Sequence, residues 1–511
     1  MKDHDSILII GAGFAGLAAG IYAQVNGYKS EVFEMHNQPG GLCTSWKRKG
    51  YTIDGCIHWL VGSSPKSGMH DMWEEVGVAQ GLNIINIDEY INFESPDGRK
   101  LIFYTDINRL EKHLLEFSPQ DEAPIRDFIS GVKMCLPFDS PSKHDKPLVK
   151  LGKAFKMGQT FLFNGRKMKR WLKTSASDFA ERFSDPLLRD AFREMWLPGF
   201  SMFFMLFTFA FLHNKNAGYP LGGSMPMSEA MAKRYVNLGG KIQYKSKVGK
   251  ILTENDHAIG IRLSDGSEHY ANRVISAADG YSTIYKMLGG KYGSAKTFEP
   301  YEKWEAFPAL IYVGVGVTLT FDHIPHSVSG TYLKLKKPVW IGNSERKAIL
   351  VHVFNHDPSM APEGKTTIIV MMYGDYDYWK NLAQGTKAYN DAKNAVGTSI
   401  AGILEERFPG IAGKIEMIDV ATPVTFERYT GNWKGSFEGW QITPENSGVL
   451  MKKMPQTLPG LKNFYMCGQW VEPGGGLPTG VMSGRRLIKA VCKEDRKKFR
   501  VTNHSTILLN K

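Results

Sequence analysis

The chain predicts an α/β fold, and three observations carry the prediction. An apolar run over residues 7–10 enters a glycine-rich turn, Gly11-Ala12-Gly13-Phe14-Ala15-Gly16, and then a small-residue helical stretch, Leu17-Ala18-Ala19-Gly20. A second apolar strand over 31–34 closes on an acid, Glu34. Far downstream, over 219–280 and 461–491, alternating strand and helix patterns return.

The first element reads as a buried parallel strand, because the run is uninterruptedly apolar and ends on glycine. The turn has G-x-G-x-x-G spacing. Gly11 permits the tight turn, Gly13 lets backbone approach a pyrophosphate, and Gly16 lets the helix pack closely on the sheet. The helix start, with Phe14 and Ala15 in its first turn, offers free N–H groups to phosphate. Glu34 follows Gly16 by 18 residues. A carboxylate there accepts hydrogen bonds from an adenosine ribose and disfavours a 2′-phosphate. A second Gly-x-Gly, Gly314-Val315-Gly316, lies inside a strand pattern with no helix behind it. One dinucleotide is therefore expected, exchanging electrons with a partner other than a resident nicotinamide.

The remaining elements follow in order. Residues 90–105 read as a hairpin turning at Pro96-Asp97-Gly98, and 106–215 as largely helical. A helix over 224–237 precedes strands at 241–245, 248–253, 258–263 and 269–276. Strands of a second sheet are expected at 309–320, 349–354 and 366–373. With no Gly/Ser/Pro-rich linker between halves, two interleaved domains are expected: 1–80, 219–290 and 441–511 for the nucleotide, 81–218 and 291–440 for substrate.

Composition narrows the partners. Hydrophobic residues make up 42 % of the 511, charged residues 22 %, and mean hydropathy is −0.27, the balance of a globular protein. Lys and Arg (63) exceed Asp and Glu (51), for a net charge of +12. That excess suits an anionic membrane; no nucleic-acid-binding signature accompanies it. Five cysteines without a C-x-x-C point to a reducing compartment. The start "MKDHDS" has no apolar leader and predicts a cytoplasmic protein.

Residues 142–173 hold ten Lys or Arg, Lys150, Lys153, Lys167, Lys169 and Arg170 among them, against one acid and interleaved with Phe, Leu and Met. This pattern suits peripheral contact with an anionic bilayer. The charge-free window over 195–214 has the length of a membrane span. Pro198 and Gly199 make a buried or membrane-facing helix pair the expectation instead, so 142–214 becomes the candidate membrane-contact region.

Around the glycine turn, "QPGGLCTSWKRKGYTIDGCIHWLVG" (38–62), "YPLGGSMPMSEAM" (219–231), "VISAADG" (274–280), "TPVTFERYTGNWKGSFEG" (422–439) and "FYMCGQWVEPGGGLPTGVMSGRR" (464–486) resemble the FAD-dependent phytoene desaturase, carotenoid isomerase and retinol saturase family. "GCIHWLVG" is most similar to the retinol saturase branch. The resemblance implies a glutathione-reductase-type FAD-binding Rossmann domain with an interleaved mixed α+β substrate domain. It implies FAD held by Gly11, Gly13 and Gly16, by Glu34, by Gly40 and Gly41 with Leu42 after them, by Val248 near the adenine, and by Gly468 and Gln469 at the ribityl chain. Gly480 and Val481 would begin the helix facing the flavin pyrimidine. Leu42 replaces the family's frequent arginine, and Gln469 an acid common among flavoproteins.

The chemistry implied is hydrogen transfer at, or isomerisation of, double bonds of an apolar polyene or isoprenoid. Such chemistry asks the protein mainly to position carbon and exclude water. His58 is the candidate proton donor. Trp59, Tyr429, Trp433 and Trp440 are candidate cavity walls. The pair His352 and His356 lacks a third ligand, and no metal is expected. The rival functions are a flavin amine oxidase and a non-catalytic prenyl-binding protein of the GDP-dissociation-inhibitor type.

Overall fold

The computed structural model describes residues 5–501. The expectation about the start of the chain rests partly on residues 1–4, and the last nucleotide segment extends over 502–511, both outside the described residues.

The first strand, Ser6–Ile10, pairs in parallel with Lys29–Phe33 on one side and Arg273–Ser276 on the other. Lys241–Gln243 and Phe464–Met466 extend this parallel sheet outward. Alternation along the strand decides what each face meets. Ile7, Ile9 and Val32 pack with Leu17 and Ala18 of helix Phe14–Val25 and Leu487 of helix Leu477–Glu494. Leu8, Ile10 and Phe33 face the other way, onto Val248, Ile251 and Ile261 of an antiparallel meander. Both faces are thus covered, as the apolar run requires. The two helices touch backbone to backbone: a Cβ on Gly484 would lie 2.7 Å from Ala15 O and Ala19 N.

A second sheet runs in the order Ile415–Ala421, Ala309–Val317, Thr366–Gly374, Ser344–Val353, Thr331–Ile341, Glu89–Glu94 and Lys100–Tyr104. Its Val313 and Val370 pack with Val396 and Ile400 of helix Thr386–Arg407, while Tyr312, Leu350 and Met371 face a large cavity. Gly314 and Gly316 seat the hairpin Ser45–Arg48/Tyr51–Asp54: Cβ atoms there would fall 2.6 Å from Ile53 and Tyr51 side-chain atoms. Their role is packing.

Three expectations about elements need correction. The run 269–276 is two strands in different sheets, Glu268–Tyr270 in the meander and Arg273–Ser276 in the parallel sheet. The strand expected to reach 245 stops at Gln243, because Lys245 adopts φ +57°. The window 195–214 is one helix, Met202–His213, after an irregular stretch at Pro198-Gly199 rather than a helix pair. Among the described residues, no helix is long and apolar enough to cross a membrane.

Candidate active site

The glycine turn and two helix starts meet at one end of the cavity. Gly13 caps helix Phe14–Val25 without a side chain, and Gly40 N–H donates to Ala12 O at 2.9 Å, holding the 40–41 loop against the turn. A Cβ on Gly13 would meet nothing nearer than 3.9 Å, whereas one on Gly16 would fall 2.0 Å from Gly11 O. Gly13 therefore leaves open space toward the cavity, and Gly16 is a packing glycine. Glu34, 6 % exposed, accepts Ala12 N–H at 2.7 Å and His36 N–H at 2.8 Å. Burial raises its pKa against these donors. Each carboxylate oxygen keeps a second lone pair for a ligand hydroxyl.

The second start is Gly476, the N-cap of Leu477–Glu494 and the last of three successive glycines with positive φ, +113°, +74° and +82°. That backbone bends around Glu438, whose Oε1 accepts Gly476 N–H at 3.1 Å. Burial pushes Glu438 up to about 7. Asp279 also lines the cavity, accepting Ser282 N–H at 2.6 Å and Trp433 N–H at 2.9 Å, and burial raises it to about 6. The helix begins three residues before Gly480, because Pro478 suits a first helical turn.

From this cradle the cavity, about 1790 Å³, continues past His58 and Trp59 into a chamber walled by Phe138, Trp196, Phe203, Phe207 and Phe211. It ends on Met157, Phe161, Met168 and Leu172 of helix Pro147–Leu172. Trp59 packs edge-on against Tyr90 and Trp196, with ring centroids at 5.6 and 6.2 Å.

Asp54 sets the loop that carries His58. Its fully buried carboxylate accepts Cys56 N–H at 2.9 Å, Ile57 N–H at 3.0 Å, Ser224 N–H at 2.6 Å and Ser224 Oγ–H at 2.7 Å. Tyr312 O–H donates to its carbonyl. Burial raises the Asp54 pKa, and the four donors oppose the rise. At the end of this loop His58 reaches the cavity wall with Nδ1 lacking a protein partner. Burial lowers its pKa to about 4, so the ring is neutral at pH 7.

The cavity brings together Gly11, Gly13, Phe14, Ala15, Glu34, Gly40, Gly41, Leu42, His58, Trp59, Val248, Gly468, Gln469 and Gly480. Gly16 and Val481 lie outside its lining, Val481 being 0 % exposed in the core. Tyr429, Trp433 and Trp440 do not line it either, which corrects their reading as walls. Tyr429 is 47 % exposed and meets His36. Trp433 stacks on Tyr281 at 5.0 Å. Trp440 is buried edge-on to Trp470 at 4.8 Å and donates to its carbonyl. Asp54, Asp279 and Glu438 went unread. All three lie inside the motifs that carry the family resemblance, but an acid's burial is not encoded beside it in the chain.

The cradle fits a flavin dinucleotide: two helix N-termini without side-chain caps converge on space that side chains at Gly13 and Gly41 would fill. Residues 14–491 match the family of flavin-containing amine oxidoreductases. The chain belongs to this family. It is an FAD-dependent oxidoreductase, and FAD is its cofactor. Among curated relatives, it is 25 % identical to a prolycopene isomerase of Daucus carota, over 94 % of this chain and 79 % of the relative. It is 26 % identical to a neurosporene-forming phytoene desaturase of Rhodobacter capsulatus, over 95 % and 93 %. An oxidoreductase from Methanosarcina mazei shares the fold with a TM-score of 0.62 at 18 % identity, over 95 % of this chain and all of that one.

Proposed function

We propose that this flavoprotein adds or removes hydrogen at, or isomerises, carbon–carbon double bonds of a long apolar isoprenoid such as a carotenoid or retinoid. The observation that carries the reading is the unbroken cavity from glycine cradle to aromatic chamber. Small-molecule pockets usually span about 300–1,000 Å³, so this volume suits a dinucleotide with a long ligand end to end. The curated relatives named for prolycopene and phytoene support the substrate class, and "GCIHWLVG" supports the retinol saturase branch.

In this reading Gly11, Gly13, Phe14 and Ala15 with Gly40, Gly41 and Leu42 hold the pyrophosphate, and Glu34 the ribose. Val248 lies at the adenine, and Gly468, Gln469 and Gly480 lie along the ribityl chain and ring. Bound FAD supplies the hydride acceptor or donor. Trp59, Phe207 and their neighbours hold the polyene and keep water from it, and His58 passes a proton at its ring nitrogen. A separate electron partner completes the cycle. The domain division 1–80, 219–290 and 441–511 against 81–218 and 291–440 is supported by the two sheets, whose strands fall on either side of it.

The test is a panel: prolycopene, phytoene and retinol in detergent micelles, with oxidised and reduced FAD, beside putrescine and benzylamine. A two-hydrogen mass change or an isomer shift in a polyene is expected. Peroxide-forming amine turnover with every polyene inert overturns the reading. His58→Phe should keep FAD and slow polyene turnover about 10²-fold, the usual scale for a lost acid or base. Because His58 sits near 4, its own titration falls below the neutral range and not near pH 6.5.

Helix Pro147–Leu172 is the proposed membrane contact. Leu148, Leu151, Phe155, Leu162 and Phe163 are exposed on it. Lys153 and Arg170 pair with Asp145 and Asp127, and Lys150 donates to Lys143 O. The basic residues left to face lipid are Lys156, Arg166, Lys167 and Lys169. Near an anionic surface each contributes roughly 1 kcal/mol. Vesicles containing phosphatidylserine should release the protein with added salt, and the quadruple Gln variant should bind weakly; equal binding by that variant ends the idea.

A further inference from the structure

The proposed chemistry uses His58 and leaves three neighbouring histidines unused. His352 stacks on His58 with ring centroids 5.4 Å apart and planes 16° apart. His356 stacks on His352 at 5.5 Å and 20°. His326, exposed, follows His356 at 5.9 Å. His352 and His356 are buried, at 1 and 7 % exposure. The column forms because strand Ser344–Val353 ends just after His352 and the next turn folds His356 back over it. Asn355 pins that turn, donating to Phe321 O and Ile324 O at 2.9 and 2.8 Å.

The ring nitrogens of this column are poorly satisfied by protein. His352 Nε2 meets Ser327 O at 3.1 Å and the His58 ring bonds the backbone of Val328, but Nδ1 of His58, Nδ1 of His352 and both nitrogens of His356 have no protein partner. A buried ring nitrogen left unpaired is costly, so water is the partner these atoms call for. Phe354, whose ring lies 4.2 Å from His352, shows that an apolar ring packs in the same space.

We propose that His326, His356, His352 and His58 form a proton relay joining solvent to the cavity, with single water molecules bridging successive rings. A bridging water gives each unpaired ring nitrogen the partner that protein does not supply. Each neutral imidazole takes a proton at one nitrogen and releases one from the other, then resets its tautomer; at His352 and His58 the nitrogen held by Ser327 or Val328 exchanges that bond for one to water as the proton passes. One proton enters at His326 and one leaves at His58, or the reverse, with no electron moved and no bond to carbon made by the column. Burial keeps the interior rings neutral, which this exchange requires; His356 is lowered to about 4. The other titratable groups near the column are Asp357, next in sequence, Tyr219, edge-on to His356 at 4.8 Å, and Asp54, at the head of the His58 loop. Asp357 accepts Tyr219 O–H at 2.9 Å and Gly222 N–H at 2.8 Å. The relay rests on the reading that His58 serves the substrate.

The test uses FAD-loaded protein with ¹⁵N-labelled histidine rings. His356→Phe should slow solvent exchange of the His58 ring proton about 10-fold or more and enlarge the solvent deuterium isotope effect on prolycopene turnover. His326→Ala, a change at the surface, should slow both to a smaller degree, and free imidazole should restore them. Wild-type exchange in a flavin-loaded, normally melting His356→Phe overturns the relay. If that variant does not fold, His326→Ala decides: unchanged exchange overturns the relay, and slowing rescued by imidazole supports it. Slowed exchange with every polyene inert upholds the relay and removes the substrate reading. Polyene turnover with exchange unchanged in both variants does the opposite.

Discussion

The two ends of the cavity are built from different materials. At the cradle the groups proposed to hold the flavin are backbone N–H donors on turns whose shape depends on glycine, and Gly13, Gly41 and Gly476 contribute no side chain at all. In the chamber the wall is side chain throughout: Trp59, Phe203, Phe207, Phe211. A backbone site tolerates little substitution, since an added Cβ either breaks the turn or fills the ligand's space. A wall of rings keeps its character through many exchanges of one apolar residue for another. In the proposed reading the cofactor end is therefore rigidly specified, and the substrate end is specified by volume and polarity.

The largest effect expected from this contrast is at the cradle. Gly13→Val should give a folded, colourless protein, since its Cβ finds 3.9 Å of clearance within the chain. Gly16→Val should instead unfold the turn, its Cβ driven to 2.0 Å from Gly11 O. Flavin content and melting temperature separate the two, and yellow Gly13→Val protein would break the comparison. Next comes the chamber: Phe207→Asp should keep FAD and lower polyene turnover on the order of 10²-fold by placing a charge in an apolar wall, while Phe207→Leu should cost less than about 10-fold. Comparable losses in both would mean that the chamber is read by shape.

The smallest effect expected is on stability against pH. Glu438 stands near 7, above the 4.5 of a free glutamate. The folded state thus binds its proton more tightly than the unfolded state, and the group's contribution to stability declines as pH rises from about 4.5 through 7. Glu438→Gln should remove that decline, leaving the variant more stable than wild type above pH 7 by on the order of 1–3 kcal/mol. Denaturant melts at pH 5 and pH 8 measure it, and an unchanged pH slope would place the charge elsewhere.

The same contrast explains what the sequence made legible. A backbone site writes itself locally: strand, glycine spacing, helix and acid occupy residues 7–34, and the structure forms the first strand, the turn and the helix there, with the second strand at Lys29–Phe33 rather than 31–34 and Glu34 just past its end. Strand Thr331–Ile341 escaped because four of its eleven residues are exposed, it carries Lys336, Lys337 and Pro338, and it slips register between Lys334 and Val339. Tyr429, Trp433 and Trp440 were visible as aromatics, but their direction is set by partners such as His36, Tyr281 and Trp470 from distant segments. His352 and His356 were visible as a pair; the stacking of His58 on them joins residues far apart in the chain, which spacing alone does not report.

The parallel sheet is closed by strand Phe464–Met466, and Gly484 on the final helix seats against Ala15 and Ala19 of the first. During synthesis the cradle's beginning therefore leaves the ribosome long before its end. At roughly 5–20 residues per second, tens of seconds pass while Ile7, Ile9 and Leu17 wait for Leu487 and its neighbours to cover them. For that interval the nascent chain carries an apolar face without its native cover and is a client for chaperones. In the proposed reading, the flavin site is complete only once the segment carrying Gly468, Gln469 and Gly480 has emerged and folded onto the first helix.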